Sequence, residues 1–313
     1  MTFKEFTLHF FERDNCPIQK RRTLKGYGWT NASMRKYRSE LKTQFWVEFG
    51  EKDIQEISFK ELDQYIIRLV QEKKYSEWTI NSFIQTLKII FGEAAYQRVI
   101  EKNITFNLDF IRIERNGRGI LTTEETVKLF TTDGLWKSKK HKMFNLLACY
   151  TGMRLGELLA MTKDSITKKD GYYYVLVNKS WDPVVGMKET KTKTDRIVPL
   201  PSWVYEKLDT TIDLQANYLF EGRDKKPFTS NTVYRHLKFV LDKIGIDSKE
   251  REKRNITFHS WRHRYISELS DDIPPEKLRL IVGHTAQETT SNYIHQILEK
   301  TKQIIDSDFF KEE

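Results

Sequence analysis

Apolar positions recur at helical spacing through the first hundred residues. Leu62, Tyr65, Ile66, Leu69 and Val70 share one helix face behind Ser58-Phe59-Lys60-Glu61. That tetrapeptide is a capping box, in which hydroxyl and carboxylate satisfy free backbone donors. Ile80, Phe83, Ile84, Leu87, Phe91, Ala94 and Ala95 form a second face, and an earlier helix is expected from Asn31 or Ser33 to about Trp46. Several amphipathic helices of this size predict a small bundle. The pattern breaks over 106–119, where Arg112, Arg115 and Arg118 stand with Gly117 and Gly119, and this stretch reads as a linker. A second capping box, Thr122-Thr123-Glu124-Glu125, opens the next unit. A helix is expected from about His141 to Tyr150, stopped by Gly152. Tyr172–Val177 and Arg196–Leu200 have the content of strands, with a hairpin expected in the polar stretch from Gly186 to Asp195. Helices follow at roughly 230–244, 259–270, 275–282 and 288–297. The expected fold is mainly α with a small antiparallel β-sheet, in two domains: 1–105 helical, 106–119 linker, 120–313 mixed and ending in a helix.

Charge adds one constraint. The 313 residues carry a formal net charge of +9, which suits a polyanionic partner without requiring one. Between residues 20 and 42 stand Lys20, Arg21, Arg22, Lys25, Arg35, Lys36, Arg38 and Lys42 against the single acid Glu40. Such a run is either a solvated basic face or a phosphate-contacting one, and Arg35, Lys36 and Arg38 are its candidate DNA contacts. Cys16 and Cys149, far apart, make neither a disulfide framework nor a zinc site by themselves. Charges at Lys4 and Glu5 argue against a signal peptide, and no apolar run approaches a membrane span. The expectation is a cytoplasmic protein with no membrane partner.

Three separated fragments carry candidate chemistry. They are Thr151-Gly152-Met153-Arg154-Leu155-Gly156-Glu157, His259-Ser260-Trp261-Arg262-His263, and Gly283-His284 followed nine residues on by Tyr293. Each is weak alone; one of fourteen tyrosines is more often a core residue than a nucleophile. In this order and spacing they resemble the tyrosine recombinase (phage integrase) family. Motifs cover roughly residues 115 to 300, with general pattern only in the N-terminal third. The middle of the second motif, Ser260-Trp261, stands where many members have Asp-Leu, which leaves the subfamily open.

The resemblance implies phosphoryl transfer through a covalent 3′-phosphotyrosyl link, with these roles. Tyr293 is the nucleophile, and because a phenol ionises near pKa ~10 it needs help at neutral pH. Arg154 and Arg262 clamp the phosphate, since a guanidinium fork matches two phosphate oxygens. His259, one helical turn before Arg262, accepts the tyrosine proton, and His284 donates to a phosphate oxygen. Lys191 is the general acid for the leaving 5′-oxygen, with Lys193 and Lys188 as competitors and a solvated hairpin face as the bland alternative. Glu157, near Arg154, orients a histidine or arginine. His263 and His295 are given structural roles.

The resemblance further implies a site-specific recombinase acting on double-stranded DNA with inverted-repeat core sites. It would work as a tetramer through a Holliday junction, with accessory directionality proteins as compatible partners and the nucleoid as location. In the family the helical N-terminal domain is a core-binding domain, and no cofactor or metal is needed because arginines and a lysine supply the positive charge. The segment after Tyr293, with Ile297-Leu298, Ile304-Ile305 and Phe309-Phe310, is expected to form a helix docking in cis or on a neighbouring subunit. The rivals are a type IB topoisomerase-like enzyme, with the same tyrosine chemistry, and a catalytically inactive DNA-binding protein on the same scaffold.

Overall fold

A computed structural model describes residues 1–113, 117–190, 195–212, 216–270 and 273–283. The chain divides into two compact units, Met1–Arg115 and Asn116–Glu313.

The first unit is helical. α1 (Phe3–Phe6), α2 (Pro17–Leu24) and α3 (Asn31–Glu40) lead through a π-helical turn, Leu41–Phe45, into α4 (Trp46–Phe49). α5 (Phe59–Glu72) and α6 (Glu77–Tyr96) follow. The α5 capping box forms as predicted: Ser58 N donates to Glu61 Oε2 at 2.9 Å and Glu61 N to Ser58 Oγ at 3.3 Å. Leu62, Tyr65, Ile66 and Leu69 are buried, whereas Val70 is exposed. The α5 and α6 faces close on Phe3, Phe45 and Phe49. Burying this much aromatic and aliphatic surface is what holds short helices together. The chain beyond α6 stays with this unit. Leu108 is buried, and Asn81 bonds Ile111 in both directions, at 2.8 and 2.7 Å. At 117–119 the chain is tied to the second unit instead, with Gly119 N donating to Arg254 O at 2.8 Å.

In the second unit α7 (Thr123–Thr131) begins at the predicted Thr122/Glu125 capping box. α8 (Lys139–Thr151) is the central helix, with Phe144, Leu147, Ala148 and Cys149 fully buried, and Gly152 ends it at φ +57°. α9 (Leu155–Leu159) is short. β1 (Ile166–Lys169), β2 (Tyr172–Val177) and β5 (Arg196–Leu200) form an antiparallel sheet in the order β1-β2-β5. Val175 pairs with Val198 at its centre. β3 (Lys179–Asp182) and β4 (Gly186–Glu189) form a separate hairpin. α10 (Ser202–Asp209), α11 (Ser230–Lys243), α12 (Ser248–Lys253), α13 (Ser260–Leu269) and α14 (Pro275–Val282) complete the described residues. The fold is mainly helical with small antiparallel sheets, as expected.

The hairpin among the described residues turns just before the polar stretch from Gly186 to Asp195, of which residues 191–194 lie outside the described residues. Its turn is Pro183-Val184-Val185. Asp182 Oδ1 accepts from Val184 N at 2.9 Å and Val185 N at 3.2 Å, and Gly186 takes φ +83°. An Asx turn followed by a left-handed glycine fixes a reversal more firmly than polarity does. Among the described residues no helix is long and apolar enough to cross a membrane.

Candidate active site

The C-terminal end of α8, the start of α9, β5, α13 and the end of α14 converge on a group of cations. Gly152 permits the convergence: its φ of +57° stops α8, and a Cβ there would lie 2.5 Å from the Tyr265 ring. Its carbonyl accepts from Arg262 Nη1 at 2.9 Å. Arg262 Nη2 donates to the Val282 carbonyl. Arg154 Nη2 donates to the next carbonyl along, Gly283, at 3.0 Å. Arg154 and Arg262, from motifs more than a hundred residues apart, are therefore held by adjacent peptide groups.

Arg262 is 2% exposed. Burial, with Arg154 and Arg196 nearby, pulls its guanidinium down to about 9, still cationic at neutral pH. Trp261 fills an apolar slot against Phe130 and donates from Nε1 to Asn145 Oδ1 at 3.0 Å, which locks the turn carrying Arg262. Ser260 is the first residue of α13 rather than its cap, and its hydroxyl accepts from Thr257 N at 3.0 Å, which ties the preceding turn to the helix start.

His259 stands at the N-cap of α13, one turn from Arg262. Burial, then His263, Arg118, Arg262 and Arg154, pull its imidazole down to about 4. It is neutral at pH 7, the form that accepts a proton. His263 lies edge-on to it, ring centroids 5.1 Å apart.

Glu157 is 3% exposed and shared between two arginines. It accepts from Arg154 N at 2.8 Å and Arg154 Nη1 at 2.9 Å. It also accepts from Arg196 Nη1 at 3.1 Å and Nη2 at 2.5 Å. Burial alone would raise its pKa, but the Arg196 fork and the Arg154 donors outweigh it and hold the carboxyl below its ordinary value. Its side-chain partners are thus arginines, Arg154 and Arg196.

The sequence reading missed Arg196. A signal was present: in a strand, residues 196, 198 and 200 share a face, and Val198 and Leu200 are core residues. It also missed α11. Tyr234, Arg235 and Lys238 of that helix line a cavity of about 860 Å³ with Arg118, Arg251 and His259. An i, i+1, i+4 cluster of ordinary surface residues carries no motif, so only its closeness to His259 marks it.

Other predicted residues fare differently. Lys191, its competitor Lys193, His284, Tyr293, His295 and the C-terminal segment lie outside the described residues. Lys188 pairs with Asp182 at 3.0 Å in the hairpin. In the first unit Arg35 and Lys36 are exposed. Arg38 instead donates to the Leu8 and Phe10 carbonyls at 2.7 and 2.9 Å and to Glu12 Oε1 at 2.5 Å. Its charge is committed within the fold. Among the described residues no group of three or more His, Cys, Asp or Glu could hold a metal ion.

The model of the phage integrase family matches residues 120–299. A tyrosine recombinase of Thermosipho africanus is 26% identical over 250 residues, 78% of this chain and 82% of the relative. Among solved structures, the Tn1549 transposon integrase in complex with a circular intermediate DNA superposes with a TM-score of 0.69 at 20% identity, covering 96% of this chain and 99% of that one. A lambda integrase tetramer bound to a Holliday junction gives 0.65 at 18% identity, covering 93% and 80%.

Proposed function

Because the chain belongs to the phage integrase family and is a tyrosine site-specific recombinase, we propose that it cuts DNA through Tyr293, conserves the bond as a 3′-phosphotyrosyl link and exchanges strands through a Holliday junction. The observation that carries this reading is the convergence of Arg154 and Arg262 on the adjacent carbonyls of Gly283 and Val282. The chain continues from there to His284 and Tyr293. Two guanidiniums fixed side by side at the entry to the nucleophile's segment are what a phosphate at its point of attack requires.

The roles divide as follows. Arg154 and Arg262 bind the non-bridging oxygens and stabilise the charge that builds on them. His259, neutral at pH 7, takes the phenol proton of Tyr293. His284 donates to a phosphate oxygen. Lys191 protonates the leaving 5′-oxygen, because a bare alkoxide is a poor leaving group. The pairing of Lys188 with Asp182 favours Lys191 or Lys193 for that role. The reading needs no metal or nucleotide, since the cations of the chain supply the charge.

DNA contact is assigned to both units. In the first, Arg35 and Lys36 face solvent. In the second, Arg118, Arg235 and Lys238 border the cavity beside His259 and Tyr234 adds an aromatic face, whereas Arg251 in the same wall is paired with Asp242. The first unit serves as the core-binding domain and the second as the catalytic domain. A tetramer on paired inverted-repeat core sites at the nucleoid is the working assembly, consistent with the lambda integrase tetramer on its Holliday junction. The segment after Tyr293 is assigned to subunit contact.

A suicide substrate, nicked so that cleavage cannot reverse, tests the reading. Wild type is expected to yield a protein–DNA adduct that survives denaturation, with or without chelator. Tyr293→Phe is expected to bind the DNA and yield none. An adduct from the Phe variant would remove Tyr293 as nucleophile, and loss of the adduct in EDTA with recovery in magnesium would point to another nuclease class.

A further inference from the structure

The family resemblance assigns Arg196 no role, yet its guanidinium makes three hydrogen bonds beside the site. It is 6% exposed. Its fork grips both oxygens of Glu157, Nη1 to Oε1 at 3.1 Å and Nη2 to Oε2 at 2.5 Å, and its Nε donates to the Ile281 carbonyl at 3.0 Å. Gly283, at φ +70°, lies so close that a Cβ there would come within 3.1 Å of Arg196 Nη1. One guanidinium thus braces three elements: β5 that carries it, α9 through Glu157, and the end of α14 through Ile281.

We propose that Arg196 is a positioning residue for DNA cleavage: through Glu157 it sets the orientation of Arg154, and through Ile281 and Gly283 it sets the peptide groups that hold both clamp arginines. It touches no reacting atom. Glu157 holds Arg154 by two bonds, at the backbone N and at Nη1, and those bonds are aimed only while the carboxylate is charged and fixed. Arg196 secures both conditions. A buried carboxylate with only one flexible arginine beside it would shift toward its protonated form. A protonated Glu157 can no longer accept from two arginines, so Arg154 would lose its aim. The same side chain lies against Gly283, so its loss also loosens the two adjacent peptide groups whose carbonyls, Val282 and Gly283, accept from Arg262 and Arg154. Positional errors of about 1 Å in such groups cost on the order of 10²-fold in rate.

The inference rests on the recombinase reading of the site, and the experiment separates the two. Adduct formation on the suicide substrate is measured in single turnover, from mildly acidic to mildly alkaline pH. The full-length chain is used as wild type, Arg196→Met, Arg196→Lys and Arg196→Met/Glu157→Gln. Arg196→Met is expected to bind DNA normally before cleavage, to cleave about 10²-fold more slowly, and to slow further as pH falls. The sign follows from Glu157: without Arg196 its pKa rises, so lower pH protonates it, with Arg154 and Arg262 the remaining charges around it. The double variant is expected to be slow but flat with pH, because the amide that replaces the Glu157 carboxylate cannot titrate. Arg196→Lys, which keeps the charge but not the fork, is expected to recover part of the rate and lose the acid limb.

A wild-type rate and pH profile in Arg196→Met would overturn the proposal, as would an acid limb that persists in the double variant. Should Arg196→Met fail to fold, Arg196→Lys decides: full wild-type rate in that variant removes the need for the fork. Failure of wild type to form any adduct, or adduct formation by Tyr293→Phe, overturns the recombinase reading itself and leaves the Arg196 contacts unexplained by it.

Discussion

Arg262 is buried and yet cationic because three things agree at one residue: two backbone carbonyls accept its N–H groups, Trp261 fixes its helix turn, and Glu157 lies within electrostatic reach. One of those carbonyls belongs to Gly152, whose left-handed backbone and missing Cβ are both used. Gly152→Ala therefore combines a positive-φ alanine with a clash against the Tyr265 ring. It is expected to destabilise the second unit by about 3 kcal/mol and to reduce adduct yield, because the carbonyl that holds Arg262 moves. Urea unfolding together with the suicide-substrate assay checks both parts, and wild-type stability in the variant would show that the ring gives way freely. Arg38 teaches the opposite lesson. It sits in the most basic stretch of the chain, but its guanidinium closes the turn after α1. Sequence shows a charge; only packing shows whether that charge is spent.

At the scale of elements, α11 is fastened to α8 by an unusual stack. The His141 ring lies between Phe228 at 4.2 Å and His236 at 3.7 Å. His141 Nδ1 meets Ser138 Oγ at 2.9 Å, while its Nε2 is buried without a partner. Burial, with His236 and Arg235 nearby, pulls its pKa from 6.5 to about 4. His236, which also faces Arg235 and Lys137, is pulled down too, mainly by burial. A histidine whose folded pKa is depressed contributes no penalty above its unfolded pKa and a growing one below it. The contribution of His141 alone is thus expected to be level above pH 6.5 and to lower stability by about 3 kcal/mol as pH drops from 6.5 toward 4. His141→Phe keeps the stack and removes the titration, so its melting temperature should depend less steeply on pH over that window. A variant profile as steep as wild type would place the acid sensitivity elsewhere. The stack bears on the proposed DNA contact because α11 carries Tyr234, Arg235 and Lys238 along the wall of the cavity beside His259.

For the whole molecule, the net charge of +9 suits a polyanion, and basic residues are exposed in each unit. Arg35 and Lys36 are exposed on α3, and Arg235 and Lys238 on α11. Each phosphate contact releases condensed counterions, so removing a contacting charge lowers the slope of log affinity against log salt by about 1. Arg35→Gln/Lys36→Gln is expected to weaken binding to all DNA sequences alike and to lower that slope by about 2. Omitting Arg38 from the variant keeps the first unit intact. Salt titrations by gel shift measure the slope, and an unchanged value returns Arg35 and Lys36 to a solvated face.

The sequence by itself determined what is local or ordered along the chain. Capping boxes at Ser58 and Thr122 are legible because the partners are three residues apart and the geometry is fixed by one helical turn. The buried faces of α5 and α6 follow from periodicity, and the family follows from three motifs in their order. Tertiary structure alone decided which distant groups share a bond. Arg196 and Glu157 are 39 residues apart and Arg262 and Gly152 are 110 apart, and no local rule aims one at the other. The described hairpin turns at Pro183–Val185 because one aspartate accepts two backbone N–H groups there, a choice that polarity patterns do not record. Burial made the last distinction. A guanidinium removed from water must find carbonyls or a carboxylate, and only the assembled fold could show that Arg38 finds them in the framework while Arg154, Arg196 and Arg262 find them at the site.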